Sequence, residues 1–175
     1  PFCDTLCFYC GCNKIATKNR ARARPYLEQL KREMALQAAC FDTRRPVSQL
    51  HLGGGTPTFM SNDELAELMS AAREHFTLLP DNEAEYSIEV DPREASEATI
   101  ALLRELGFNR LSLGVQDFDE RVQRAVNRIQ PREMTETVLD AARKNGFESV
   151  SVDLIYGLPH QSVETIAALA SSSGR

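Results

Sequence analysis

Four short runs rich in apolar and β-branched residues punctuate the chain: VSQLHL from Val47, EYSIEV from Glu85, RLSLGV from Arg110 and SVSVDLIY from Ser149. Their length and apolar character predict buried β-strands. Between them, apolar residues recur every three or four positions, the spacing of one helix face. Leu27, Leu30, Met34 and Phe41 mark a first helix. Leu65, Leu68, Met69, Ala72 and Phe76 mark a second, opened by a Ser61/Glu64 capping box. Ile100, Leu103 and Leu106 mark a third. A short helix is expected from Phe118 to Asn127 with Val122 and Val126 inward. Another follows Pro131 with Met134, Val138, Leu139 and Ala142, and a last one begins near Ser162.

A partial internal repeat reinforces this pattern. LGFNRLSL from Leu106 is echoed by NGFESVSV from Asn145. In each, a Gly free to adopt the left-handed conformation ends a helix, a Phe folds back, and a strand begins. Strand–helix units repeated in this way imply parallel strands with right-handed crossovers, in an α/β barrel or an open α/β sheet. Ligands of such folds gather at the carboxyl ends of the strands. There the sequence places GGGTPT (Gly53 to Thr58), Glu89 to Pro92, Gln116-Asp117, and Asp153 followed by Tyr156 to Pro159. Any one of these could be turn chemistry, but together they put polar groups on one rim.

Composition changes the picture little. The 175 residues are 42% hydrophobic and 26% charged, ordinary for one globular domain. No apolar run approaches the roughly 18 residues of a membrane span, and no signal peptide is evident. The cytoplasm is the expected location, and cytoplasmic thiols stay reduced. The net charge of −5 gives no reason to expect nucleic acid as a partner. One local exception is basic: Lys14, Lys18, Arg20, Arg22 and Arg24 lie in a stretch without an acid, either a solvated face or a landing site for an anion.

The cysteines change it a great deal. Cys3, Cys7, Cys10 and Cys12 crowd into PFCDTLCFYCGCNK, and the fifth, Cys40, ends an apolar helix face as an expected packed thiol. Thiolates are soft ligands, suited to iron–sulfur clusters, zinc or copper(I). Structural zinc ordinarily uses two separated pairs. No second pair exists, and His51, His75 and His160 show no ligand spacing among themselves; His51 reads as a satisfied core histidine. Three thiolates in C-x3-C-x2-C on one loop suit a cubane cluster whose fourth iron stays open to a small molecule. Zinc or a mixed site remains the alternative.

That loop, with Tyr9 before its third Cys, resembles the signature of radical S-adenosylmethionine (SAM) enzymes, and GGGTPT resembles their glycine-rich motif. CGCNK, QLHLGGGTPT, SIEVDPRE, GFNRLSLGVQDF, VQRAVNR and VDLIYGLP together are similar to the oxygen-independent coproporphyrinogen III oxidase family, across residue 1 to about 165. The resemblance implies an oxidoreductase of haem and porphyrin biosynthesis. In that family a 4Fe-4S cluster and bound SAM yield a 5′-deoxyadenosyl radical, and two propionates of coproporphyrinogen III become the vinyl groups of protoporphyrinogen IX. It implies Cys3, Cys7 and Cys10 as iron ligands and Cys12 as a catalytic, non-ligating residue. Tyr9, Gly54, Gly55, Thr56, Glu89, Gln116, Arg128 and Asp153 match positions holding SAM, as two molecules. Gly54 would admit the methionine moiety where a Cβ would obstruct it, and the basic stretch gains weight against a substrate with four carboxylates.

The same resemblance implies a partial (β/α)6 barrel with about four of six strands. Residues 1–175 would then be an incomplete radical SAM core whose first strand lies before Pro1 and whose sixth lies beyond Arg175. The absence of an initial Met and the ending ALASSSGR fit a fragment, inactive by itself, lacking the family's C-terminal domain. A monomer served by an unidentified electron donor is expected. Haem-binding chaperones of the family, disfavoured by Cys10-Gly11-Cys12 together with Gly107 to Phe118, and related radical SAM methyltransferases are the alternative readings.

Overall fold

A computed structural model describes residues 1–172. Its chain order is β1 (Phe2–Cys3), β2 (Ile15–Ala16), α1 (Ala23–Ala38), β3 (Gln49–Leu52), α2 (Asn62–His75), β4 (Glu85–Val90), α3 (Glu97–Glu105), β5 (Arg110–Gln116), α4 (Glu120–Ala125), α5 (Arg132–Lys144), β6 (Ser149–Leu154) and α6 (Val163–Ser172). The four apolar runs became β3 to β6, one sheet in the sequential order β3-β4-β5-β6 with every pair parallel. The expected α/β fold with four parallel strands is therefore present, as an open sheet. The tiny parallel pair β1–β2, not foreseen, brackets the cysteine loop.

Each helix start has a local cause. Ser61 accepts from the Glu64 N–H while the Glu64 carboxylate accepts from the Ser61 N–H, the predicted capping box. Ser96 and Asp119 cap α3 and α4 in the simpler way. The repeated Gly-Phe units also behave alike. Gly107 and Gly146 sit at φ of 98° and 77°, and the amides of Phe108 and Phe147 reach back 3.1 Å to the carbonyls of Leu103 and Ala142. This reverses each chain tightly into β5 and β6.

The strands are not buried on both sides. Tyr86, Ile88 and Val90 on β4 and Leu111, Leu113 and Val115 on β5 point one way, into a core shared with Leu65, Met69, Ile100, Leu103, Phe108, Val138 and Phe147. The intervening positions are polar or small: His51; Ser87 and Glu89; Ser112 and Gly114; Ser151 and Asp153. Short serines among apolar neighbours had disguised this alternation.

Other expectations shift at the margins. Phe41 lies beyond the end of α1, exposed, and stacks on Phe76 with centroids 5.9 Å apart. Met134 is exposed rather than inward. Cys40 is exposed, its thiol donating to the Leu36 carbonyl, because α1 stops at Ala38 before the core face continues. Of the ending ALASSSGR, residues 173–175 lie outside the described residues. Among the described residues no helix is long and apolar enough to cross a membrane.

Phe108 has no solvent exposure and contacts the core from the β5 side. Phe108→Ala is expected to cost about 3–5 kcal/mol through lost burial and the residual cavity, read as a shifted urea midpoint with unchanged slope.

Candidate functional site

The carboxyl ends of the strands converge with the cysteine loop on one cavity of about 170 Å³. Its wall contains all twelve residues singled out from the sequence: Cys3, Cys7, Cys10 and Cys12 from the loop, Tyr9 between them, Gly54, Gly55 and Thr56 after β3, Glu89, Gln116, Arg128 and Asp153. Cys3 and Asp153, 150 positions apart in sequence (153 − 3), are thus brought to one place. Tyr156 does not line the cavity and is 85% exposed.

Backbone contacts fix the loop over the sheet. The Thr56 N–H donates to the Phe2 carbonyl at 2.7 Å, and the Phe8 N–H donates to the Val126 carbonyl at 3.0 Å. Asn127, in the left-handed conformation at φ 56°, donates its side-chain amide to the Leu6 carbonyl at 2.8 Å. Asn tolerates that conformation better than most residues. Of the glycines, Gly55 allows the closest approach. A Cβ there would lie 2.6 Å from the Phe2 carbonyl oxygen. Gly54 is needed for another reason: its φ is 113°, and no protein atom would meet its Cβ within 4 Å. Gln116 also adopts positive φ, at 70°, beside a register shift in β5. Strain of this kind is concentrated at functional sites.

The polar face of the sheet supplies the floor. Glu89 accepts from the Gly54 N–H at 3.3 Å, and its other oxygen lies 3.5 Å from His51 Nε2. His51 in turn bonds Ser87 through Nδ1 at 2.8 Å. It is 56% exposed and not the core histidine expected, because β3 turns this position toward the polar face. Ser112 donates to Asp153 at 2.7 Å, fixing that carboxylate.

Behind Cys7 stands a buried charged group that the sequence did not single out as a unit. Arg128, 6% exposed, donates Nη1 to Asp91 at 2.9 Å and Nη2 to the Gly114 carbonyl at 2.6 Å. The guanidinium is thus already paired with a carboxylate of the protein. Arg93 closes a fork on the same Asp91, with Nη2 at 2.7 Å. Burial alone would push the Asp91 carboxyl up, but the Arg93 hydrogen bonds and the Arg128 charge hold it below the ordinary carboxylate value. Burial raises the Tyr9 hydroxyl, which also faces the Cys7 sulfur. Asp91 had read as possible turn chemistry beside Pro92, and Arg93 carried no reading of its own; nothing local signals a bond from Asp91 to a residue 37 positions away.

The thiols differ in setting. Cys7 is buried, Cys3 and Cys10 are half-buried, and Cys12 is exposed. Burial works against Cys10 ionising, yet the Cys12 amide and side chain and the Lys14 ammonium outweigh it and lower its pKa. Its hydrogen bond with Cys10, and the charge there, raise the Cys12 thiol. Lys14 is anchored on the Cys10 carbonyl at 2.7 Å. The other basic residues are mostly committed to structure: Arg20 bonds Asp4, Glu94 and the Phe59 carbonyl, and Arg24 pairs with Glu28 and Glu67. That stretch staples the loop to the sheet and α1 to α2.

Among the described residues no three His, Cys, Asp or Glu side chains converge on a point that one metal ion could occupy. Three thiols facing a common cavity fit a polynuclear cluster, in which each sulfur serves its own iron. The donor set, soft sulfur only, fits it also.

The model of the radical SAM superfamily matches residues 1–172. The chain is 54% identical over 167 residues to the oxygen-independent coproporphyrinogen III oxidase of Pseudomonas aeruginosa, and 50% identical over 167 residues to that of Escherichia coli K12. Each alignment covers 95% of this chain and 36% of the relative, so the chain spans about a third of their length. The solved coproporphyrinogen III oxidase from E. coli superposes with a TM-score of 0.93 at 48% identity, over 98% of this chain and 39% of that one. Methylornithine synthase shares the fold alone, with a TM-score of 0.64 at 17% identity over 99% and 47%.

Two outcomes follow from the geometry. Gly55→Ala places a methyl group against backbone, and is expected to cost about 1–3 kcal/mol and to displace β1 from Thr56, seen as faster amide exchange at Thr56. Because the Asp91 pKa is lower folded than unfolded, its network contributes stability that is complete above about pH 4 and lost as pH falls through the folded value. Asp91→Asn should therefore flatten the acid limb of a stability–pH profile.

Proposed function

The chain belongs to the radical S-adenosylmethionine superfamily, and within it we propose that residues 1–175 form the core of an oxygen-independent coproporphyrinogen III oxidase. The observation that carries this reading is the meeting of three thiols, the glycine turn after β3 and four strand-end polar groups around one cavity. The similarity in sequence to curated oxidases over 95% of the chain supports the choice of substrate.

Cys3, Cys7 and Cys10 would hold the 4Fe-4S cluster. With SAM bound, that group would supply a 5′-deoxyadenosyl radical able to take a hydrogen atom from a propionate of coproporphyrinogen III; loss of CO2, and of one electron to an acceptor outside these residues, would then leave a vinyl group. The protein's own part is to position and to exclude water. Gly54 and Gly55 bring backbone to the cavity without side chains. Glu89, held by the Gly54 amide, and Asp153, held by Ser112, present carboxylates to cationic groups of a ligand. Thr56, Tyr9 and Gln116 add hydroxyl and amide contacts, and Arg128 adds a buried Nε with no hydrogen-bond partner. We assign Tyr9, Gly55, Thr56, Gln116, Arg128 and Asp153 to a second SAM molecule. Cys12, exposed on the cavity wall, is assigned to the substrate side rather than to iron. The reading carries with it a cytoplasmic monomer with a separate electron donor, completed by segments outside residues 1–175.

The test is anaerobic reconstitution of the full-length protein. Four irons per chain and 5′-deoxyadenosine formed with coproporphyrinogen III are expected. Ser at Cys3, Cys7 or Cys10 should abolish iron uptake. Cys12→Ser should keep the iron and lower turnover by about a hundredfold or more, the scale of losing one positioned group. Stoichiometric haem binding without decarboxylation would instead indicate a haem chaperone.

A further inference from the structure

Cys7 differs from the other thiols in what surrounds its sulfur. Arg93 Nη2 and Arg128 Nη1 both donate toward Cys7 Sγ, each at 3.7 Å. Among the described residues, Cys3 receives the Thr56 hydroxyl, at 3.6 Å, and no guanidinium. Neither guanidinium is free to wander. Arg93 is held on both oxygens of Asp91, with Nε at 3.0 Å from one and Nη2 at 2.7 Å from the other. Arg128 is held between Asp91 and the Gly114 carbonyl. Planar forks fixed in this way lose little freedom when they donate again.

Charge balance points in the same direction. Two guanidiniums share a single carboxylate in a group whose side chains are 7% to 17% exposed. An uncompensated buried charge is costly. The nearest remaining electron-rich atom that both cations touch is the Cys7 sulfur. A thiolate bound to iron carries the charge that would complete the set.

We propose that Asp91, Arg93 and Arg128 form a clamp on the Cys7 sulfur that fixes this ligand and raises the reduction potential of the cluster it holds. The proposal rests on the functional reading given above. Its physical basis is that hydrogen bonds and positive charge at a cluster's sulfurs favour the reduced, more negative state. Arg93 is a positioning residue in this scheme: it acts through Cys7, and Asp91 acts through Arg93.

The experiment uses the full-length protein, reconstituted with iron and sulfide, and titrates the cluster with dithionite while electron paramagnetic resonance follows the reduced state. Arg93→Met removes both charge and donor. It is expected to shift the reduction equilibrium at least tenfold toward the oxidised form, a midpoint lower by about 59 mV for one electron. Arg93→Lys, which keeps the charge but loses the fork, should recover part of that shift. A midpoint unchanged in Arg93→Met at the wild-type iron content would overturn the proposal. Loss of iron in both variants with thermal stability unchanged supports the fixing of Cys7, whereas loss of iron together with the fold overturns it in favour of a structural ion pair. A wild-type protein that takes up no iron overturns the functional reading and the clamp together, an outcome distinct from an unmoved midpoint.

Discussion

The one-sided burial of four parallel strands governs this molecule. Parallel sheets usually bury both faces, since crossover helices cover them. Here the helices cover only the face that carries Tyr86, Ile88, Val90, Leu111, Leu113 and Val115. The pleat has period two, so a one-residue slip of any strand would send Leu111 outward and bring Ser112 or Glu89 into the core. That penalty locks the register of β4 on β5 and β5 on β6, recorded as Ile88 beside Leu111 and Leu111 beside Val150. Everything on the polar face then follows from the lock. His51 lies beside Ser87, Glu89 beside Ser112, and Gly114 beside Asp153.

The cysteine loop is attached to this frame by a different kind of interaction. Few apolar side chains hold it: Phe2 packs on Phe59 and Tyr26, and Tyr9 lies against the small cluster of Val122, Val126 and Leu158. The remainder is hydrogen bonding, from Thr56, from the end of α4 and from Arg20. Hydrogen bonds of this kind are each worth about 1 kcal/mol net, and burial rather than their number sets the rigidity they provide. The loop is therefore a separately anchored piece whose placement depends on contacts to β3, α4 and the segment after β4 at once. Gly55 can be no larger because the first of those contacts is backbone against backbone.

Much of this was legible in the chain and some was not. The four strands of the main sheet, the six helices and the Gly107 and Gly146 reversals follow from periodicity and turn chemistry, and the rule that ligands gather at strand ends pointed to the polar rim; the full set of twelve cavity residues was implied by the family resemblance. What escaped was long-range or disguised. Ser87, Ser112 and Ser151 are small enough to pass for members of an apolar run, so the strands read as buried throughout and His51 as a core residue. Cys40 and Phe41 look like a continuing helix face because their spacing is right, yet α1 ends before them. The bonds that join Asp91 to Arg128 and Asn127 to Leu6 span 37 and 121 positions, and no local pattern encodes them.

The distribution of charge around the cavity ties these pieces to the chemistry. Lys14, Arg93 and Arg128 line it together with Asp4, Asp91, Glu94, Glu89 and Asp153. Arg93 and Arg128 share Asp91, and Arg20 takes Asp4 and Glu94, whereas Glu89 and Asp153 are held by the Gly54 amide and the Ser112 hydroxyl, which carry no charge. Under the function proposed above, a cationic group of a ligand would therefore be drawn to Glu89 and Asp153 and turned away from the paired arginines. In a partly enclosed site, where the effective dielectric is well below that of water, the discrimination is larger than the same charges could produce in solution. Orientation is thus built from the strand register, which places Glu89 and Asp153, and from the buried Asp91, which places the two arginines.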